Sequence, residues 1–276
     1  MKNVLVRSIS GIIYIAAIVG ALMAGGNWWY ALTAVFTIIG TLEYQRMCAI
    51  KCGAPLPLFS SSLDLAATLL LWGIAPVLNY WPAALPAIAV VLGVCLLARM
   101  ALALSQQKGD AFSAVATAVF GTLYIGIPMA LLNLAIGFAP QAPAAILCML
   151  ILIWLNDTGA FCVGSLLGRH RLCERLSPKK SWEGFWGGMF FCVAAAAIYA
   201  RICALPVLTC AAFGAVVCIF STWGDLFESM LKRSVGIKDS GNLIPGHGGI
   251  LDRIDSLLFV APAAAIFYLA VCTYTL

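Results

Sequence analysis

Charge is what this sequence has least of. Only 10% of its 276 residues are Asp, Glu, Lys or Arg, where soluble domains carry about a quarter. With 63% hydrophobic residues and a mean hydropathy of +1.02, a soluble fold is excluded, because it has nowhere to hide so much apolar surface. The chain reads as a polytopic membrane protein of the all-α class, and no nucleic-acid partner is expected. Disulfide and zinc patterns are missing too. The eleven cysteines are odd in number and scattered through apolar segments without a CxxC pair, which reads as small buried thiols. No linker, low-complexity tract or short repeat divides the chain. It is therefore expected to be one integral-membrane unit, with residues 1–142 as scaffold helices and 143–276 carrying the chemistry.

What is present is a series of long apolar runs. About nine of them are long enough to span a bilayer, near 8–25, 28–45, 64–81, 83–104, 112–137, 142–164, 184–203, 206–226 and 255–275. Charge placement tests that count. Of the sixteen Lys and Arg residues, every one except Arg201 falls on a single side under nine spans, from Lys2 and Arg7 through Arg99 and Lys108 to Arg253. The positive-inside rule then puts the N-terminus in the cytoplasm and the C-terminus outside. Trp28, Trp29 and Tyr30 are expected at a membrane interface, as is Trp81. Gly121 and Gly126 suit close helix packing beside Pro128. Glu43 and Arg46, three apart at the end of span two, are expected to pair or to anchor the helix.

The scarce charge collects near the C-terminus, from Asp225 to Ser256, as DLFESMLKRSVGIKDSGNLIPGHGGILDRIDS. Asp225, Asp239, Asp252 and Asp255 alternate there with Lys232, Arg233, Lys238 and Arg253. Carboxylates hold a hard cation such as Mg²⁺ through oxygen, lysine and arginine take phosphate charge, and the Gly-rich run around His247, Gly248 and Gly249 can turn backbone N–H groups onto an anion. A membrane enzyme for a phosphorylated substrate needs all three. Asp225 closes span eight and Asp252 opens span nine, so the pair is a candidate metal site. Asp255, at the same helix start, is either a further ligand or a cap. Upstream, Asn156 and Asp157 interrupt the apolar run ILCMLILIWL of span six. An acidic residue within an apolar span is costly, and its default reading is functional. The next loop reads GSLLGRHRLCERLSPKKSWEG, in which Ser177, Lys179 and Lys180 at the mouth of a helix suit a polyphosphate. His170 in that loop reads as a solvated surface residue.

The order S-x-L-K-R-x4-K-D-x-G-x2-I-P-G-H-G-G-x-L-D-R-I-D, from Ser229 to Asp255, resembles the signature of the phosphatidate cytidylyltransferases. The Ser-Pro-Lys-Lys segment ending in Glu-Gly resembles that family's second element. The resemblance implies transfer of a cytidylyl group from CTP to phosphatidic acid in the bilayer, with CDP-diacylglycerol and pyrophosphate as products, at the cytoplasmic face of a bacterial inner membrane. It implies Mg²⁺ held by Asp225, Asp252 and Asp255, with room for a second cation. Lys238, Asp239 and Arg253 join Asp225 and Asp252 as catalytic candidates. Asn156, Asp157, Ser177, Lys179, Lys180, Lys232, Arg233, His247, Gly248 and Gly249 are the candidates for substrate and nucleotide binding. A homodimer is compatible with a bundle of this size. Two rivals remain open at the level of sequence. A CTP-dependent polyprenol or phytol kinase has a similar membrane fold, but the unbroken GHGGxxDRxD element argues against it. An anion transporter would spread its ionisable residues along a path through several spans, whereas here they collect at one face.

Overall fold

A computed structural model of the chain describes residues 2–52, 56–104, 110–138, 141–244, 246 and 248–274. His247 and Lys108, both singled out in the sequence, lie outside the described residues. Among the described residues nine α-helices follow one another in the order of the nine apolar runs: α1 Lys2–Ala24, α2 Gly26–Cys52, α3 Leu58–Tyr80, α4 Leu85–Leu104, α5 Ala111–Phe138, α6 Ala142–Leu167, α7 Trp182–Ile202, α8 Val207–Ser234 and α9 Leu251–Tyr274. Seven of them, α3 to α9, are long and apolar enough to cross a membrane, so the chain is a helical integral-membrane protein. The described apolar part of α1 is shorter, Ile9–Ala24, and α2 carries Glu43, Arg46 and Lys51 in its second half.

One departure from an all-α fold is an antiparallel hairpin, β1 Arg171–Cys173 with β2 Ser177–Ser181. The segment read as a loop thus contains the Ser-Pro-Lys-Lys sequence as a strand. With only two strands, both are edges, where proline is tolerated.

The chain divides into two compact units. The first comprises Met1–Pro143 and Ser234–Arg253, the second Ala144–Arg233 and Ile254–Leu276. In the first, α3 packs chiefly on α5, and the glycines of α5 explain how closely. A Cβ on Gly121 would overlap the Tyr44 ring, and one on Gly126 would lie 2.9 Å from Leu71 and 3.3 Å from the Thr68 carbonyl. Polar side chains inside this bundle are bonded to one another. The Thr33 hydroxyl lies 2.9 Å from Asn133 Oδ1 and accepts from Trp72 Nε1 at 3.0 Å. Arg99, counted among the cations of one membrane side, is buried and paired with Asp64 at 3.2 Å. The aromatic cluster also divides differently from the expectation. Trp28 is exposed, but Trp29 and Tyr30 are core residues, and Tyr30 accepts from Asn79 Nδ2 at 2.6 Å. Trp81 is exposed, as an interfacial residue should be.

In the second unit small residues bring helices together. A Cβ on Gly184 of α7 would lie 2.8 Å from the Ala160 carbonyl of α6, and one on Gly187 would press into Val163. On α8, a Cβ on Gly224 would lie 2.6 Å from the Asp255 carbonyl of α9. Cys95, Cys192 and Cys218 are buried free thiols, as expected, whereas Cys162 and Cys203 are exposed.

Candidate active site

The hairpin is held from the start of α7. Ser181 has extended backbone and its hydroxyl accepts from Gly184 N at 3.1 Å, an N-cap for α7. Glu183, in the first turn, reaches back to accept from the backbone N–H groups of Arg169 at 3.1 Å and His170 at 3.2 Å, and meets His170 Nδ1 at 2.6 Å. His170 is thus exposed, as expected, yet bonded. The Glu-Gly that follows Ser-Pro-Lys-Lys therefore braces the hairpin: the carboxylate fixes one foot, and the glycine lets α7 approach α6.

Strand alternation then separates the two lysines. Lys179 is exposed. Lys180 turns to the opposite face and meets Asp225 Oδ2 on α8 at 2.6 Å, both side chains being about a third exposed (27% and 34%). Two elements that the sequence separates by more than forty residues thus share one ion pair. Asp225 Oδ1 lies 3.4 Å from the Ser229 hydroxyl one turn further on. The close approach at Gly224 brings α9 alongside, and the Asp225 and Asp157 carboxylates and the Lys232 ammonium are all near enough to act electrostatically on Asp255. Asp255 Oδ1 accepts from Ser256 N at 2.6 Å. Lys232 is held by Glu228, fully buried on the same helix, at 2.6 Å, the pairing that their spacing of four allows. Asn156 is buried, with Nδ2 3.3 Å from the Ser221 hydroxyl, and its buried Oδ1 has no hydrogen-bond partner among the described residues. Asp157 is exposed and stands ten residues before the end of α6 at Leu167, roughly 15 Å along the axis, so it does not sit at a helix end.

In the first unit the segment 234–253 carries Asp252, Lys238, Asp239, Arg233's neighbour Ser234, and Arg253. Lys238, Asp239 and Arg253 are exposed, as is Arg233 at the end of α8. The Gly-rich turn uses positive φ at Gly246 (77°) and Gly248 (83°), conformations open to glycine at little cost. Ile244 N donates to the Gly248 carbonyl at 2.9 Å, closing the turn. Its backbone donors were expected to face a phosphate. Of that run, the N–H group of Gly249 goes to a carboxylate of the protein instead. Asp252 Oδ2 accepts from Gly249 N at 2.8 Å, Ser240 N at 2.9 Å and the Ser240 hydroxyl at 3.0 Å. The next two N–H groups, of Ile250 and Leu251, go to Glu43 on α2, at 3.1 and 2.8 Å.

Glu43 is the residue that sequence reasoning misplaced. It is buried, and its partners are Ser240, Ile250 and Leu251, while Arg46 is exposed. Its one signal in the sequence is an acidic residue within an otherwise apolar run.

Magnesium fits the donor chemistry on offer. Asp225, Asp252 and Asp255 present carboxylate oxygens, and among the described residues no three His, Cys, Asp or Glu side chains gather into a protein-only cage. Mg²⁺ commonly takes one or two carboxylates and completes its shell with water and substrate phosphate.

A membrane protein with a cationic strand set against a carboxylate in one unit, and a glycine turn ordered by acidic side chains in the other, has the parts of a site for phosphorylated substrates. The model of the family described as the cytidylyltransferase family matches residues 5–271, and the chain belongs to that family. A protein of Mycobacterium tuberculosis named phosphatidate cytidylyltransferase is 33% identical over 251 residues, 86% of this chain and 73% of its own. One of the same name from Bacillus subtilis is 45% identical over 114 residues, 41% of this chain and 42% of its own. A third, from Staphylococcus aureus, is 44% identical over 119 residues, 42% of this chain and 46% of its own.

Proposed function

We propose that the chain transfers the cytidylyl group of CTP to phosphatidic acid, giving CDP-diacylglycerol and pyrophosphate. A phosphate oxygen of the lipid forms a bond to the α-phosphorus of CTP. The bond from that phosphorus to the bridging oxygen of the β-phosphate breaks, and pyrophosphate leaves with the electron pair. Both partners are anions, so neutralising charge is the main task of the site. No general base is needed for the attack, because a phosphomonoester with a second pKa of about 6 is already largely ionised near neutrality.

The observation that carries this reading within the molecule is the Lys180–Asp225 ion pair. It seats the cationic strand on a carboxylate that is itself a proposed metal ligand, so nucleotide phosphate and cation are addressed from one place. Lys179 and Lys180 take polyphosphate charge, and the exposed Lys238, Arg233 and Arg253 take that of the lipid phosphate and the leaving group. Lys232 contributes its charge from its place beside Glu228 and Asp255. Asp225, Asp252 and Asp255 are the residues proposed to hold Mg²⁺, which when bound screens the phosphates and aligns the attacking oxygen.

We place the N-terminus and both motif segments in the cytoplasm and the protein in a bacterial inner membrane with nine spans. The distribution of Lys and Arg supports that orientation. The bonds from Glu43, near the end of α2, to the Gly-rich turn support it too, since nine spans require the segments after spans two and eight to share a side. Purified protein given cytosine-labelled CTP, phosphatidic acid and Mg²⁺ should yield labelled lipid and one pyrophosphate per turnover. Transfer of the γ-phosphate to a lipid alcohol, with no label from the base entering the lipid, would replace this reading with a kinase.

A further inference from the structure

Two acidic side chains order the Gly-rich turn, and only one of them belongs to the motif. Glu43 stands 197 residues before Ser240 and 208 before Leu251 in the chain. Its Oε1 accepts from Ile250 N, and its Oε2 accepts from Leu251 N and lies 3.0 Å from the Ser240 hydroxyl. That hydroxyl is also 3.0 Å from Asp252 Oδ2. A serine hydroxyl has one proton and can donate to one carboxylate at a time, so Glu43 and Asp252 compete for it and are coupled through it. The turn is built around this approach. A Cβ on Gly241 would run into the Glu43 carboxylate, and a Cβ on Gly249 would run into both that carboxylate and the Ser240 hydroxyl. Glu43 and Ser240 are both buried, where an acceptor taken away leaves its donors unsatisfied.

We propose that Glu43 is a positioning residue for catalysis, which sets the direction of the Asp252 carboxylate through Ser240 and the 249–251 turn. This rests on the reading of Asp252 as a magnesium ligand. Glu43 touches no substrate. It holds the two N–H groups that follow Gly249 and shares a proton donor with Asp252, so the ligand is presented in one orientation before any cation arrives. The helix α2, which contains no part of the motif, thereby becomes part of the site.

The test uses the full-length protein in phosphatidic acid-containing vesicles, with Glu43→Gln, Glu43→Asp, Ser240→Ala and Asp252→Asn compared side by side. A glutamine keeps the shape but offers one acceptor oxygen where the carboxylate offers two, so one N–H or the hydroxyl loses its partner. Glu43→Gln is expected to raise the Mg²⁺ concentration for half-maximal rate about tenfold or more, and to lower turnover at limiting Mg²⁺ by the same factor, in the range known for residues that support a metal ligand. The KM for CTP at saturating Mg²⁺ should stay unchanged, and excess Mg²⁺ should recover much of the lost rate. Ser240→Ala should shift the Mg²⁺ demand in the same direction by less, and Glu43→Asp should not restore it, because the shorter chain cannot span both N–H groups. In metal-free protein, peptides covering 240–251 should exchange amide hydrogen faster in Glu43→Gln than in the wild type. A native Mg²⁺ demand in Glu43→Gln, or a loss of rate that excess Mg²⁺ does not recover, overturns the proposal. Should that variant fail to fold, an unchanged Mg²⁺ demand in Ser240→Ala overturns it. Near-native turnover by Asp252→Asn removes the underlying reading of Asp252 instead, which keeps the two failures distinguishable.

Discussion

Lys180→Met separates structural from chemical roles because the two differ in size. The ammonium is 2.6 Å from Asp225 Oδ2, but the side chains are 27% and 34% exposed. A pair that wet contributes about 1 kcal/mol or less to stability, and methionine keeps most of the apolar stem. The expected loss of stability is therefore a shift of a few degrees in Tm at most. If Lys180 neutralises charge that grows on the phosphates in the transition state, its loss should cost about 3–4 kcal/mol, or a factor of 10²–10³ in kcat. Instability of about 1 kcal/mol leaves a protein folded and cannot mimic that factor. Lys180→Arg keeps the charge and should recover part of the rate, though a planar fork does not replace a point charge. The assay is transfer of label from CTP to phosphatidic acid over a range of CTP concentrations, with thermal unfolding measured on the same preparations. A Lys180→Met enzyme with kcat and KM within about threefold of wild type would refute the reasoning and leave the lysine a structural partner of Asp225.

Two further outcomes follow from the proposed site. Asp225→Asn and Asp252→Asn should each lower Mg²⁺-dependent turnover by orders of magnitude in folded protein, and the double variant should lose little more, since a site lacking one ligand has little left to remove; additive losses would argue for independent roles. Cysteines placed at Lys179 and Lys238, in a background without reactive thiols, should be labelled from the cytoplasmic side of sealed vesicles, and labelling of both only from the outside would overturn the nine-span orientation.

The helices were legible because burying a backbone in lipid demands long apolar runs, and nothing else in the chain imitates them. Helix ends were less so: α8 runs on to Ser234 and carries Asp225, Lys232 and Arg233 within its last turns, where hydropathy alone stops near residue 226. The hairpin was not legible, because Ser-Pro-Lys-Lys-Ser has no apolar alternation and owes its shape to Glu183 and to pairing with β1. The motif residues could be named from their order along the chain, but not their partners. Lys180 and Asp225 meet only once α7 and α8 are folded. Glu43 was read against Arg46 because a local spacing is all that a sequence displays, and a bond to an amide 208 residues away leaves no local trace. Trp29 and Tyr30 show the same limit, since an aromatic pair reads alike in a core or at an interface until its neighbours are known.

The glycines of α6 and α7 have a kinetic consequence. At Gly164 and Gly184 the two backbones nearly touch: a Cβ on Gly164 would stand 3.4 Å from the Gly184 Cα and 3.2 Å from the Ser181 hydroxyl. Both feet of the hairpin, Gly168 and Ser181, are set on this seam, and a Cβ on Gly168 would lie 2.8 Å from the same hydroxyl. A strand mounted in this way has both feet on packed helix ends rather than on a linker. If nucleotide phosphate binds at Lys179 and Lys180 as proposed, rotation of the lysine side chains, complete in nanoseconds, is the motion that lets it exchange, and slow reopening of this strand is not expected to limit turnover.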